Sequence, residues 1–538
     1  MIKSITIKSL LIIIILINFI SCTTEKEKRN INFPKTDLAA ANFIPKPLEV
    51  TSTQGGFALD ELTAIRTSND VSDFAELGHF LADKIKTKTG LDLPVNTDGV
   101  SNIETVIYIN QTDLIEFDNP EAYELRITSD SVILSSNSVE GAFRGLQTLR
   151  QIIPETSNDT LAETKIWVIP TGKITDEPQF EYRSSMLDVS RHFFSVQTIK
   201  KYIDILAYYK YNALHLHLTD DQGWRIEIKS WPKLTEIGGN TEVGGKSGGF
   251  YTQEEYTEIV NYAATHHIMI IPEIDLPGHT NAASVSYPFL NGNGKTPRPY
   301  TGMEVGFSTV DTRKDTVYAF VDDVIRELAA LTPDSYIHIG GDESHSTKKE
   351  DYIYFINKVE KIVRKYDKIM IGWDEIATAD LDSNSIAQFW ANLDNAQTAA
   401  NKGMKVILSP AKKAYLDMKY DSTSTFGLNW AAFIPVDTGY NWSPESYAKI
   451  PKDKIFGIEA PLWSETISNV EELEYLAFPR VIGYAELGWT VEENRDWTNY
   501  KLRLANQTPY LNQMNVKYYP SSLIDWKENT SKVEKVEK

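Results

Sequence analysis

Side chains that could do acid–base chemistry recur at one kind of position in the second half of the chain, directly after short apolar segments. The clearest pair is Asp342-Glu343, which follows an apolar segment and two glycines. Other polar and aromatic residues stand at the same point of their own segments: Arg191-His192, Asp220-Asp221, Asp275 with His279, Trp373-Asp374-Glu375, Trp390, Tyr415 with Asp417, and Trp463 with Glu465. Carboxylates act as general acids and bases and accept hydrogen bonds from hydroxyl groups, while an indole covers the apolar face of a pyranose. The pattern favours a carbohydrate site.

Each of these features also has a plain structural explanation when it is taken alone. A single tryptophan at the end of a strand more often packs into the core, and Asp275 could simply cap a helix. The functional interpretation is stronger because the features recur at the same point of successive units.

The segments that must position these residues alternate with longer helical stretches from Phe180 onward. This rhythm indicates a parallel sheet with crossover helices. We place eight strands near residues 183–189, 213–218, 268–274, 336–339, 368–372, 386–389, 405–408 and 455–460. They predict a (β/α)₈ TIM barrel over residues 176–526, with its active site at the carboxyl ends of the strands. Because Asp342 and Glu343 are neighbours, both reach that site only if the chain leaves strand geometry at Gly340-Gly341.

Residues 43–175 have a different pattern, in which short strand-like segments surround a helical stretch at 139–153. The pattern predicts a small α+β domain with an antiparallel sheet ahead of the barrel. The final residues, 527–538, are rich in Lys, Glu and Ser, and we expect a disordered tail there.

The first 22 residues are typical of a bacterial lipoprotein signal peptide. Lys3 and Lys8 precede a largely apolar run that is too short to span a bilayer. The run ends at Cys22, the only cysteine of the chain, in a sequence that resembles a lipoprotein box. We expect an exported protein that is lipid-anchored in the bacterial cell envelope, on its periplasmic or cell-surface face, with residues 23–42 as a flexible tether. The alternative is an incidental cysteine after an ordinary signal peptide.

The net charge of −20 argues against nucleic acid and against an anionic membrane surface as the main partner. The chain has nine histidines and one cysteine, and none of them has the spacing of a metal site. We therefore expect neither a metal nor a cofactor.

Six motifs, in order along the chain, make the sequence similar to glycoside hydrolase family twenty, the β-N-acetylhexosaminidases. They occupy residues 183–193, 215–225, 272–279, 338–343, 372–375 and 462–465. The resemblance covers about residues 44–500 and includes the small domain that precedes the barrel in this family. It implies a glycan substrate such as a chitooligosaccharide, and no cofactor.

The resemblance also implies roles for single residues. Glu343 is implied as the general acid and base, Asp342 as the group that orients the substrate's 2-acetamido group, and Tyr415 as a hydrogen-bond donor to the acetamido oxygen. The remaining implied site residues are Trp373, Trp390 and Trp463 as pocket walls, Arg183, Asp417 and Glu465 as ligands of the far hydroxyls, and Asp220 with His279 as a relay to Glu343. In this mechanism the amide of the substrate is the nucleophile, as in the substrate-assisted glycosidases.

Several alternatives stay open at this level. A non-catalytic glycan-binding lipoprotein, or an enzyme of the same family that releases a disaccharide or a sulfated hexosamine, would share much of this sequence. Trp430, Tyr440 and Trp442 either form a subsite beyond the scissile bond or pack their own loop. The natural glycan, the choice between gluco and galacto epimers and the oligomeric state are not fixed by the sequence.

Overall fold

The computed structural model describes residues 31–68, 72–96, 103–112, 119–158, 165–294 and 297–527. The predicted signal peptide with Cys22, residues 23–30 of the tether and nearly all of the tail lie outside the described residues. Within the described residues, no helix is both long enough and apolar enough to cross a membrane.

The N-terminal part contains a six-stranded sheet with the strand order β1-β6-β4-β5-β3-β2. Its strands are β1 Glu49–Leu59, β2 Thr63–Thr67, β3 Thr105–Gln111, β4 Tyr123–Ile127, β5 Ser131–Ser136 and β6 Trp167–Asp176. The sheet is mixed rather than antiparallel, because β3 runs parallel to both β2 and β5. The sequence prediction missed the β2–β3 pair because it did not include the helix α1 (Ser72–Thr89), which carries the chain back between these strands and supplies the crossover that a parallel pair requires.

Ordered structure begins before residue 43, so the predicted tether is wrong for its last residues. The carboxylate of Asp37 accepts a hydrogen bond from the Ala39 N–H at 3.0 Å and starts a short turn at Leu38–Ala40. Leu38 is completely buried in the main hydrophobic core. A single leucine in a polar segment gave the sequence pattern too little apolar periodicity to predict this contact.

The barrel is closed by eight parallel strands, as predicted, and the last strand pairs with the first. The strands are β7 Tyr182–Asp188, β8 Ala213–His217, β9 Met269–Glu273, β10 Tyr336–His338, β11 Ile369–Trp373, β12 Ile386–Phe389, β13 Lys405–Leu408 and β14 Ile455–Leu462. Every residue of β7, β8 and β14 is buried, since helices cover the outside and side chains fill the interior.

Helices pack around both sheets. After α1 they are α2 Val139–Ile152, α3 Val196–Tyr208, α4 Lys233–Glu236, α5 Gln253–Ala264, α6 Asn281–Ser286, α7 Asp315–Leu331, α8 Lys349–Lys365, α9 Leu393–Asn401, α10 Ala411–Ala414, α11 Val436–Tyr440, α12 Pro444–Ala448, α13 Val470–Ala477, α14 Arg480–Trp489, α15 Trp497–Ala505 and α16 Thr508–Gln513. Local sequence fixes where several of them begin. In α5, for example, Thr252 and Glu255 form a reciprocal capping box that satisfies two N–H groups at the start of the helix.

Candidate active site

A cavity of about 360 Å³ opens at the carboxyl ends of the barrel strands. Its lining combines acidic, aromatic and apolar residues: Arg191, Met303, Val305, Asp342, Glu343, Trp390, Tyr415, Asp417, Leu428, Trp430, Trp463 and Glu465. The structure thus brings together seven of the site residues that the resemblance implied, namely Asp342, Glu343, Trp390, Tyr415, Asp417, Trp463 and Glu465. They come from loops that follow different strands, which explains why they are scattered along the chain.

Arg183 does not belong to this cavity, so its predicted role in binding sugar hydroxyls is wrong. It is the second residue of β7 and lies at the amino end of that strand, at the opposite end of the barrel. Its guanidinium is buried against the small domain, with Nη2 2.6 Å from a carboxylate oxygen of Glu121, which also binds Arg144. The arginine that lines the cavity is Arg191, which follows the carboxyl end of β7. Both arginines lie in the motif at residues 183–193, and the signal that could have selected Arg191 is its position directly after the strand, which the other cavity residues share.

The backbone leaves strand geometry where the sequence predicted. Strand β10 ends at His338, and the φ angles of Gly340, Gly341 and Glu343 are 66°, 102° and 41°. A Cβ atom on Gly340 would lie 1.8 Å from a carboxylate oxygen of Asp275. Glu343 is not a glycine, and its left-handed conformation costs about 1–2 kcal/mol. The resulting turn lets the carboxyl groups of Asp342 and Glu343 line one cavity.

Burial raises the pKa of Glu343 to about 7, and the neighbouring charge of Asp342 adds to the shift. A carboxyl group with this pKa holds a proton close to neutral pH and releases it easily, which suits a general acid that later acts as a base. Glu343 therefore has the electrostatics of a proton-transfer group.

A buried relay approaches Glu343 from the barrel interior. His279 Nε2 lies 4.0 Å from a carboxylate oxygen of Glu343 and 3.9 Å from one of Asp342, and His279 Nδ1 lies 3.1 Å from Asp220 Oδ1. Burial alone would lower the pKa of His279, but Asp220, Asp275 and Asp342 raise it well above its usual value. Asp220 and His279 thus lie in series behind Glu343, and the surrounding carboxylates favour the cationic form of the imidazole.

The wall of the cavity carries two further carboxyl groups, those of Asp417 and Glu465. Both carboxylate oxygens of Asp417 and Oε2 of Glu465 are buried without a partner in the described part of the chain. Burial raises the pKa of Asp417 and of Glu465, and the charge of Glu465 adds to the shift at Asp417. Buried acceptors without donors are costly, so this wall fits a ligand that supplies several hydroxyl groups.

The aromatic walls differ in depth. Trp390 and Trp463 line the cavity beside Tyr415, while Trp373 is completely buried and packs against Trp463 with ring centroids 5.7 Å apart. Trp430 is 56% exposed and stands edge-on to Trp390 at the mouth.

The structure also separates the aromatic residues of the long loop after Tyr415. Trp430 lines the cavity, whereas Tyr440 and Trp442 are buried in the core. Tyr440 and Trp442 therefore pack their own loop, while the position of Trp430 is compatible with the predicted subsite, which stays a prediction.

Histidines and carboxylates of the described residues come within 4.8 Å of one another in several groups of three, one of them His279, Asp342 and Glu343, and such groups could hold a metal ion. Most of these atoms already contact an oppositely charged partner: Glu273 contacts three histidines, and Asp220 contacts His217 and His279. We interpret the groups as ion-pair networks.

We expect Gly340→Ala to reduce the free energy of unfolding by about 1–3 kcal/mol more than Gly90→Ala does. Both glycines have a positive φ, but a Cβ on Gly90 would meet nothing within 4 Å, whereas one on Gly340 would collide with Asp275. Chemical denaturation of both variants measures the difference. If both variants lose the same free energy of unfolding, the turn at Gly340 has space for a Cβ atom and the expected collision with Asp275 does not occur.

Comparison with known proteins gives the same picture as the geometry. The model of "Glycosyl hydrolase family 20, catalytic domain" matches residues 180–492, and that of "Glycosyl hydrolase family 20, domain 2" matches residues 40–177. A β-N-acetylhexosaminidase of Cellulomonas fimi is 36% identical over 90% of this chain and 97% of its own length. The structure of the family 20 β-N-acetylhexosaminidase from Streptomyces coelicolor A3(2) superposes with a TM-score of 0.86 and 43% identity, covering 92% of this chain and 100% of the other. The Streptomyces plicatus N-acetyl-β-hexosaminidase superposes with a TM-score of 0.84 and 44% identity over 91% of this chain and 98% of its own. The chain therefore belongs to glycosyl hydrolase family 20.

Proposed function

We propose that this protein is an exo-acting β-N-acetylhexosaminidase that hydrolyses terminal, non-reducing N-acetylhexosamine residues with retention of configuration. The observation that carries the proposal is the turn after β10, which presents Asp342 and a Glu343 of raised pKa to one cavity. The relatives from Cellulomonas fimi and Streptomyces coelicolor, which carry this activity in their names, support it.

In the proposed first step, Glu343 donates its proton to the glycosidic oxygen as the bond to the anomeric carbon breaks. The acetamido carbonyl oxygen of the same sugar attacks the anomeric carbon and forms an oxazoline-type intermediate. Asp342 accepts a hydrogen bond from the amide N–H and offsets the developing positive charge, while the Tyr415 hydroxyl donates to the acetamido oxygen. In the second step Glu343 takes a proton from water as the water oxygen attacks the anomeric carbon. The bond between that carbon and the acetamido oxygen breaks, which restores the acetamido group and leaves the sugar free to dissociate.

The wall formed by Asp417 and Glu465 supports exo action. Hydroxyl groups of a terminal sugar would donate to the unpartnered oxygens of these carboxylates, and Arg191 takes the place at the cavity that Arg183 does not fill. An internal sugar of a long chain carries a further glycosidic link where a terminal sugar has a free hydroxyl. Such a link cannot donate a hydrogen bond to the buried carboxylates, so the wall favours chain ends.

The other candidates are less well supported. A non-catalytic glycan-binding protein has no need of a proton-transfer group with a pKa about 7. Release of a disaccharide or of a sulfated hexosamine is an outcome that the substrate tests below would reveal.

The first test compares a chromogenic β-N-acetylglucosaminide with the matching β-glucoside. Loss of the acetamido group should lower kcat by several orders of magnitude, because intramolecular nucleophiles reach effective molarities of about 10⁵–10⁸ M. Glu343→Gln, which keeps the size of the side chain but not its proton, should abolish release. Comparable turnover of both sugars would contradict the substrate-assisted mechanism.

The second test is the pH dependence of kcat/KM. Glu343 must be protonated to act as the acid, so the rate should be level at lower pH and fall as the pH rises through its pKa of about 7. Any residual activity of Glu343→Gln should lack this basic limb. A wild-type rate that stays level far into the alkaline range would exclude Glu343 as the acid.

We further propose that the protein is exported and anchored in the cell envelope by a lipid on Cys22, which the lipoprotein-like sequence at residues 1–22 supports. Mass spectrometry of the mature N-terminus from the detergent-extracted fraction should find a lipid-modified cysteine. Cys22→Ala should move the protein to the soluble fraction with its specific activity unchanged. An unmodified Cys22 in the mature protein would refute the anchor.

A further inference from the structure

Charged side chains of alternating sign cross the barrel interior from the catalytic acid. Beyond Glu343 and His279 lies Asp220, and Asp220 Oδ2 is 2.9 Å from His217 Nε2. The other imidazole nitrogen of His217, Nδ1, bonds Glu273 Oε2. His215 Nε2 is 3.1 Å from the same carboxylate. The relay to Glu343 therefore does not end at Asp220.

Glu273 is the point where this series of charges meets the aromatic wall. It is the last residue of β9 and is completely buried. Its Oε1 accepts the indole N–H of Trp373 at 2.9 Å, while its Oε2 binds His217. One carboxylate thus fixes Trp373, which supports Trp463 at the cavity, and also fixes the imidazole next to Asp220.

We infer that Glu273 is a positioning residue for the catalytic acid. Through Oε2 it favours the protonated form of His217. Together with Arg191, whose Nη2 lies 2.7 Å from Asp220 Oδ2, this imidazolium stabilises the charge of Asp220 that His279 and Glu343 sense. Through Oε1 it holds the Trp373 indole in place. This inference rests on the proposed function, and it adds to that function a residue that touches neither the substrate nor Glu343.

The charge states support this arrangement. Burial alone would raise the pKa of Glu273, but three surrounding histidines hold it well below its usual value. Burial alone would lower the pKa of His217, but Glu273 and Asp220 raise it well above its usual value. An ionised carboxylate and a protonated imidazole are the pair that a dry barrel interior tolerates, because each compensates the other.

Other titratable groups also face these residues, and the expected effect takes them into account. His215, His338 and Asp275 surround Glu273; Glu459 lies on the far side of His215; Asp188 acts on His217; and Arg191, Asp342, Asp220 and His279 act on Glu343. None of them is changed by the substitution below.

Glu273→Gln tests the inference because an amide cannot satisfy both neighbours as the carboxylate does. Its oxygen can still accept the Trp373 N–H, but its NH₂ group then donates to His217 Nδ1, which must give up its proton there. His217 becomes neutral, so the variant loses the negative charge of Glu273 and the positive charge of His217. His217 is the nearer of the two to Glu343 in the series of contacts. The proton affinity of Glu343 should therefore rise.

The experiment uses the full-length protein in mild detergent with a chromogenic β-N-acetylhexosaminide. For Glu273→Gln we expect the basic limb of kcat/KM to move to higher pH by about half a unit to one unit. We expect kcat to fall roughly three- to tenfold, because a weaker acid protonates the leaving oxygen more slowly, while KM changes little.

Glu474→Gln is the matched control. Glu474 is also a buried, ion-paired glutamate, but it lies on α13 and binds Lys201 at 2.5 Å. This variant should lose stability and leave the basic limb where the wild type has it.

The outcomes separate the inference from the proposed function. Hydrolysis by the wild type decides the function, and only the displacement of the limb between variants decides the role of Glu273. A folded Glu273→Gln protein with the wild-type limb would overturn the inference and leave a structural role alone. If Glu273→Gln does not fold, His217→Gln removes the same cation while Glu273 keeps its bond to Trp373. It should shift the limb in the same direction, and an unshifted limb in that variant would overturn the inference equally.

Discussion

The structure depends on how ionised groups are compensated inside a barrel that excludes water. A single buried charge without a partner costs several kcal/mol, which is a large share of the net stability of a domain. The barrel meets this constraint by alternating imidazoles and guanidinium groups with carboxylates, as at Glu273, His217 and Asp220. The carboxyl group of Glu343 is compensated less fully, because His279 Nε2 lies 4.0 Å from it and makes no hydrogen bond to it. Burial and the neighbouring charge of Asp342 raise the pKa of Glu343, and His279 at this distance offsets only part of that shift.

The backbone around the site is under a steric constraint. The carboxyl groups of Asp342 and Glu343 can share a cavity only because two glycines adopt positive φ angles, and Gly340 packs so closely on Asp275 that no side chain fits between them. These contacts hold Glu343 in its unfavourable left-handed conformation. Geometry and electrostatics therefore come from the same few residues after β10.

The sequence predicted those parts of the molecule in which a local signal is repeated. The barrel followed from eight apolar segments, and most cavity residues followed from their positions after those segments. It failed where a contact joins distant segments. The bond of Arg183 to Glu121 depends on how the small domain meets the barrel, and Leu38 packs not only on the nearby β1 but also against Gly172 in the distant β6. The parallel pairing of β3 depends on a crossover whose direction no local pattern encodes. Glu273 lies in the motif at residues 272–279, but nothing in the sequence shows that its two carboxylate oxygens bind two different residues, Trp373 and His217.

Arg183 connects the first barrel strand to the small domain. Glu121 from the small domain binds Arg144 of the same domain and Arg183 from the first barrel strand, and all three side chains are buried. Opening the contact between the domains would leave a guanidinium without a counterion beneath the barrel, so neither domain can be solvated separately at low cost. The two segments matched by separate family models therefore share a buried ion pair, and the stability of each depends in part on contact with the other. An isolated barrel would lack the counterion of Arg183, which gives a physical reason for the small domain to accompany it.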